Sequence, residues 1–210
     1  MRKLSSRLLV VTDRHQTNGR PLEAILEKVL AAGSPVIQLR ERDLAPRALL
    51  ALARTVQTLA TQKGSQLVIN DRIDLALVLD GVGVHLRSNS LPVSVARRLL
   101  GEQRLLGVSA HSLDEAVQAE AQGADYVVLG PVYETPSKQA FGPPLGLEKV
   151  KEVCRCVRIP VIGIGGVTPA RARDVRRAGA FGVAVITAIL GATDVEAAAR
   201  EMLDAVSADP

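Results

Sequence analysis

The sequence predicts a single-domain (β/α)8 TIM barrel, spanning residues 1–210, and three observations carry that expectation. Short runs of aliphatic and β-branched residues alternate with amphipathic stretches from end to end, the pattern that builds a parallel sheet. Eight such units in 210 residues imply closure into a barrel rather than an open doubly wound sheet. Aromatics make up only 2% of a chain that is 47% hydrophobic, so Leu, Val, Ile and Ala must fill the layered interior. The main rival, a Rossmann-type fold, lacks its glycine fingerprint, because Thr12-Asp13-Arg14-His15 follows the first strand.

Taken in chain order, the strands are the runs Leu8 to Thr12, Val36 to Arg40, Gln66 to Ile69, Gly83 to Leu86, Leu105 to Ser109, Tyr126 to Leu129, Val161 to Ile164 and Gly182 to Ile186. An amphipathic pattern follows each of them: Pro21 to Ala32, Ala45 to Lys63, Ile73 to Leu79, Pro92 to Leu100, Ser112 to Gln122, Leu147 to Val157, Pro169 to Ala178 and Val195 to Ser207. Ser112-Leu-Asp-Glu115 is a capping-box signature, and Thr168-Pro169 reads as a helix cap and first turn. The one long connection, Gly130 to Gly146, holds PVYETPSKQAFGPPLG, and a loop of that length in a compact domain is usually functional.

Composition narrows the function classes. The net charge of +4 comes from basic residues dispersed through helices such as Arg171 to Arg177. With stacking platforms almost absent and no helix-turn-helix pattern, the sequence argues against nucleic acid and favours an anionic small molecule. Cys154 and Cys156 are too close for an ordinary disulfide and have no second metal pair, as expected of ordinary helix residues in a reducing cytoplasm. No apolar run is long enough to span a bilayer, so the expectation is a cytoplasmic protein without a membrane partner. Exposed aliphatic faces on barrel helices leave room for a homodimer.

In a closed barrel the site residues sit at the C-terminal strand ends. After the seventh strand, Gly165 and Gly166 can bring bare N–H groups close to an anion, and the eighth strand ends at Ile186-Thr187 beside them, a pair of ends suited to phosphate. In the second strand, alternation puts Gln38, Arg40 and Arg42 on one face as a fork for phosphate oxygens. The alternative for the same run is an exposed salt-bridge cluster with Glu41 and Asp43. Asn70-Asp71 pairs a neutral donor with a carboxylate able to hold Mg2+ together with substrate phosphates. His85, and His111 after Ser109, are strand-end histidines able to move protons or simply to bond their neighbours. Thr135, Ser137 and Lys138 supply two hydroxyls and an ammonium from the long loop, which can fold over phosphates as a lid.

As an ordered set, QLRER, IND, GVHL, GVSAHSLDEA, GADYVVLGPVYETPSK, IPVIGIGGVTP and GVAVITAI resemble the thiamine phosphate synthase and TenI family of phosphate-binding barrels. The resemblance implies a role in thiamine biosynthesis, with a phosphorylated hydroxyethylthiazole near Gly165, Gly166, Ile186 and Thr187. For a synthase it further implies aminopyrimidine pyrophosphate as second substrate, Mg2+, and roles for Gln38, Arg40, Asn70, Asp71, Ser109, Thr135, Ser137 and Lys138.

Three positions depart from the family's pattern. Arg42 stands for a lysine, Ser90 for an acidic residue after the fourth strand, and Pro131 for the histidine proposed as proton shuttle in tautomerases. RER with Arg42, GVHLRSNS with Ser90, and SAHSLDEAVQAE look more like the TenI-like branch, whereas Pro131 leaves the tautomerase pattern without its own histidine. The expectation is therefore a metal-free thiazole tautomerase, with His111 moving the proton and Arg40 and Lys138 beside it. Thiamine phosphate synthase is the alternative and a non-catalytic phosphate-binding regulator the second.

Overall fold

The protein, described by a computed structural model over residues 3–135 and 143–208, is a closed barrel of eight parallel strands. The strands are β1 (Leu8–Val11), β2 (Val36–Leu39), β3 (Leu67–Asn70), β4 (Gly83–Leu86), β5 (Leu106–Ala110), β6 (Tyr126–Leu129), β7 (Val161–Ile164) and β8 (Gly182–Val185). Each pairs with the next, and β8 returns to β1 through Leu9 opposite Ala184. The outer helices are α1 (Leu22–Ala32), α2 (Pro46–Gln62), α3 (Ile73–Leu77), α4 (Val93–Leu100), α5 (Leu113–Ala121), α6 (Gly146–Cys156), α7 (Pro169–Arg177), α8 (Thr187–Leu190) and α9 (Val195–Ser207).

The expected fold class is the observed one, and most element boundaries fall within a residue or two of those read from the sequence. Two small elements escape the pattern. A 3-10 turn, Arg14–Gln16, follows β1, and α8 begins where the sequence continues GVAVI into an apparent strand end. At Ile186 the backbone leaves the extended region (φ −122, ψ −87), so the strand stops at Val185 although the residue type favours continuing.

Two apolar layers follow from the period of two along each strand. Leu9, Val11, Val36, Val68, Tyr126, Val128, Ile162 and Ala184 pack together in the barrel lumen. Their neighbours Leu8, Val10, Ile37, Leu39, Ile69, Val127, Val161 and Val183 face outward into the helix layer. Continuing the lumen parity toward the C-terminal ends brings up Gln38, Arg40, Asn70, His85 and Ser109. The sheet thereby turns an apolar lumen into a polar mouth.

Among the described residues Tyr126 is the one bulky aromatic fully buried in the lumen, and a glycine makes room for it. Gly107 lies opposite Tyr126 in the β5–β6 register, and a Cβ there would stand 2.0 Å from Tyr126 Cζ. Gly107→Ala is expected to displace the ring and lower stability by about 2 kcal/mol, the usual scale of overpacking. Denaturant titration checks this, and an unchanged midpoint would show that the ring shifts at no cost.

The capping residues read from the sequence are in place. Ser112 Oγ accepts from Glu115 N–H at 3.1 Å and Thr168 Oγ1 from Arg171 N–H at 3.4 Å. The reciprocal half of the capping box is shifted by one residue, because Glu115 accepts from the His111 N–H rather than from Ser112. Among the described residues no helix is long and apolar enough to cross a membrane.

Candidate active site

The C-terminal strand ends converge on one mouth, and β1 and β2 shape its first side. Gln38 is 3% exposed, yet its side-chain amide has no hydrogen-bond partner among the described residues. The amide atoms are not sealed off, so what little of the residue is exposed leaves them open to a ligand at the mouth. Arg40 stands two residues further along the same face, with Nη1 3.7 Å from Asp13 Oδ2. Its backbone N–H donates to Thr12 Oγ1 at 2.9 Å, and the Thr12 hydroxyl donates to Glu41 Oε1 at 2.6 Å. Glu41 Oε2 accepts from the Arg14 N–H at 3.1 Å and from Arg14 Nη1 at 3.2 Å.

Glu41 is thus a buried strut between the β1 and β2 loops rather than a surface charge. Arg14 also reaches Asp43, and with His15 it holds that carboxyl well below its usual range. The salt-bridge cluster anticipated around Glu41 and Asp43 exists, but Arg14 makes it. Arg40 is left with one loose ion pair, and Arg42 with none among the described residues.

Between β3 and β4 a second cluster forms. Asp71 adopts the left-handed conformation (φ 60), one that Asp tolerates, and its N–H donates to the His85 carbonyl at 2.8 Å. Arg87 Nε donates to Asp71 Oδ2 at 2.6 Å, and the Ser90 hydroxyl donates to Oδ1. With Asn70, Arg42 and Arg72, Asp71 and Arg87 line a cleft of about 240 Å³. Neither Arg87 nor Ser90 is assigned to Asp71 by sequence reasoning, since their contact depends on how the β4 loop folds back.

Inside the mouth His85 is wholly buried between Tyr126 Oη, 3.1 Å from Nδ1, and Ser109 Oγ, 3.0 Å from Nε2. Loss of hydration pushes its pKa down to about 3 against the opposing charge of Asp71, so the imidazole is neutral near pH 7. His111 lies apart from this pair. Its Nδ1–H donates to the Gly130 carbonyl at 2.5 Å, tying the end of β5 to the end of β6.

On the far side, Gly165 (φ 102) and Gly166 (φ 64) form the turn between β7 and α7, next to the start of α8 at Ile186-Thr187. Loops after the seventh and eighth strands together with a short extra helix are the means by which such barrels bind phosphate. The turn is also packed against the β6 loop: Val132 N–H donates to the Ile164 carbonyl at 2.8 Å and Tyr133 N–H to the Gly165 carbonyl at 3.1 Å. That loop runs on to Thr135, whereas Ser137 and Lys138 lie outside the described residues.

A family model described as thiamine monophosphate synthase matches residues 8–189, all eight strands included. The chain belongs to that family. It is 46% identical to the thiamine-phosphate synthase of Roseiflexus castenholzii over 93% of this chain and 86% of the relative. To the thiamine-phosphate synthase of Moorella thermoacetica it is 44% identical, over 95% of both chains. A solved structure, the thiamine phosphate pyrophosphorylase from Pyrococcus furiosus, superimposes with a TM-score of 0.87 at 33% identity, over 96% of this chain and 95% of the other. The protein is therefore an enzyme of the thiamine monophosphate synthase family.

These similarities overturn the placement in the TenI-like branch and the thiazole tautomerase that came with it. The placement leaned on local features, Arg42 in RER, Ser90 in GVHLRSNS and the SAHSLDEAVQAE run, with Pro131 already against it, while similarity along nearly the whole chain runs to synthases. At Ser90 the geometry shows why the departure weighs little: its hydroxyl still bonds Asp71. The proton-shuttle role of His111 goes with the tautomerase.

Proposed function

We propose that the protein is a thiamine phosphate synthase, joining aminopyrimidine pyrophosphate to hydroxyethylthiazole phosphate. In this reaction the C–O bond to pyrophosphate breaks, a C–N bond to the thiazole nitrogen forms, and pyrophosphate leaves. The observation that carries the reading is the near full-length similarity to thiamine-phosphate synthases. The site supports it: charge that builds on the departing pyrophosphate needs fixed positive groups, and among the described arginines at the mouth Arg40 and Arg42 are less neutralised by partners than Arg72 and Arg87. The neutral Gln38, Asn70 and Ser109 suit the aminopyrimidine ring, and the β7–β8 end suits the thiazole phosphate.

Mg2+ fits the residues present. Among the described residues no group of three or more His, Cys, Asp or Glu is placed to hold a metal. Mg2+, however, is commonly bound by one or two carboxylates plus substrate phosphates rather than by an all-protein cage. Asp71, with Asn70 beside it, would supply the protein oxygens, and the ion would neutralise charge on the pyrophosphate when bound. Asp71's own partners, Arg87 and Ser90, hold the carboxylate in place at the mouth.

A paired assay tests the reading. Thiamine phosphate is expected from the two substrates with Mg2+ present, with little product in EDTA. Ser90→Asp, which adds a second carboxylate, is expected to lower the Mg2+ concentration needed for half-maximal rate by about threefold to tenfold. Absence of product under both conditions would reject the synthase.

A further inference from the structure

We infer that Tyr126 and His85 are positioning residues that fix the Ser109 hydroxyl as a hydrogen-bond donor into the barrel mouth, toward a ring-nitrogen acceptor of the bound substrate. The argument is one of counting protons. Tyr126 Oη, His85 and Ser109 Oγ form a line of two contacts, 3.1 Å and 3.0 Å long, that leads from the lumen to the mouth. Tyr126 is fully buried and its phenol keeps its proton near neutral pH. Among the described residues, the one acceptor within hydrogen-bond distance of Oη is His85 Nδ1.

Tyr126 therefore donates to Nδ1, and the imidazole proton lies on Nε2. Nε2–H donates to Ser109 Oγ in turn. A doubly protonated imidazole leaves that last step unchanged, because Nε2–H donates in either state. The Ser109 proton cannot go back to Nε2 and meets no acceptor among the described residues, so it is offered to the mouth. The reverse order, with Ser109 donating to Nε2 and Nδ1–H donating to Tyr126, would leave the phenolic proton stranded in an apolar lumen, a costly loss.

Gln38 and Asn70, like Ser109, are uncharged, whereas the guanidinium groups of Arg40, Arg42 and Arg87 stand further out. An uncharged acceptor with a directed lone pair, an aromatic ring nitrogen, matches the inner position better than a phosphate oxygen does. The identity of that ring rests on the proposed synthase reaction; the proton order does not.

The test uses the full chain with 15N-labelled histidine. In the free wild-type protein, NMR is expected to show His85 as the Nε2–H tautomer, and Tyr126→Phe to give a mixture of the two tautomers, since the phenol no longer holds the imidazole proton off Nδ1 and Ser109 can then also donate to Nε2. In the thiamine phosphate assay Ser109→Ala is expected to lower kcat/KM about a hundredfold and Tyr126→Phe about tenfold, a scale set by one hydrogen bond. Combined with Ser109→Ala, the Tyr126→Phe change is expected to cost nothing more. An Nδ1–H tautomer in the wild type, or an equal Tyr126→Phe loss in both backgrounds, would overturn the inference. If no thiamine phosphate forms, the synthase reading falls, and the tautomer of the free protein decides the proton order alone.

Discussion

Replacing Arg40 with methionine is expected to lower kcat/KM for thiamine phosphate formation by about a thousandfold, or about 4 kcal/mol. The side chain is only 20% exposed, and its one ion pair among the described residues, to Asp13 at 3.7 Å, is long for a strong bond. A guanidinium held at a strand end with so little internal compensation has most of its attraction left for a ligand. The backbone beneath it is fixed: its N–H is bonded to Thr12, Thr12 to Glu41, and Glu41 to Arg14. The fork is therefore aimed before substrate arrives, and a preorganised charge is worth more in the transition state than one that must reorient. Methionine keeps the volume and removes the charge and all five donors. Arg40→Lys should recover part of the loss, since an ammonium restores charge without the bidentate geometry. Steady-state kinetics alongside calorimetric titration with inorganic pyrophosphate checks this; a Met variant within threefold of wild type in both would remove Arg40 from the site.

What the sequence made legible follows from the geometry of a barrel. Strand parity puts Gln38 and Arg40 on one face, and strand ends become site positions once closure is granted, so Gln38, Arg40, Asn70, Asp71 and Ser109 were all found at the mouth. Glu41 was harder because RERD looks like any solvated charge run. Its parity, opposite to Gln38 and Arg40, was the available signal that it points at the β1 loop rather than the ligand. His111 illustrates the opposite error. At a strand end it has the right residue type, but its Nδ1 is spent on the Gly130 carbonyl, 19 residues away, a contact no local pattern reveals. The family was legible from the ordered motifs, whereas the branch was not. Ser90 in place of an acid suggested a failed metal site, yet the hydroxyl remains bonded to Asp71, and a loop contact of that kind is fixed only by the fold.

The glycine turn after β7 yields the second large effect. Gly166→Ala is expected to cost about 3 kcal/mol of stability and to raise KM for the thiazole phosphate at least tenfold. A Cβ at Gly166 would lie 2.5 Å from the Glu134 carbonyl oxygen and 2.9 Å from Tyr133 Cβ, so the obstacle is largely backbone and cannot swing aside. The β6 loop would have to lift away, breaking its bonds to the Ile164 and Gly165 carbonyls and the stacking of Arg171 over Tyr133, now 4.6 Å from the ring centroid. Two strand ends would lose their mutual support at the place where a phosphate is expected to sit. Gly64 supplies the control, because it shares a positive φ (+66) but has nothing within 4 Å of its added Cβ. Gly64→Ala should therefore show the left-handed backbone cost alone, about 1 kcal/mol, with kinetics unchanged. Denaturant midpoints and KM values for the two variants separate backbone strain from loop displacement. Equal losses of stability in both, with KM untouched in each, would mean that the β6 loop does not depend on the glycine turn.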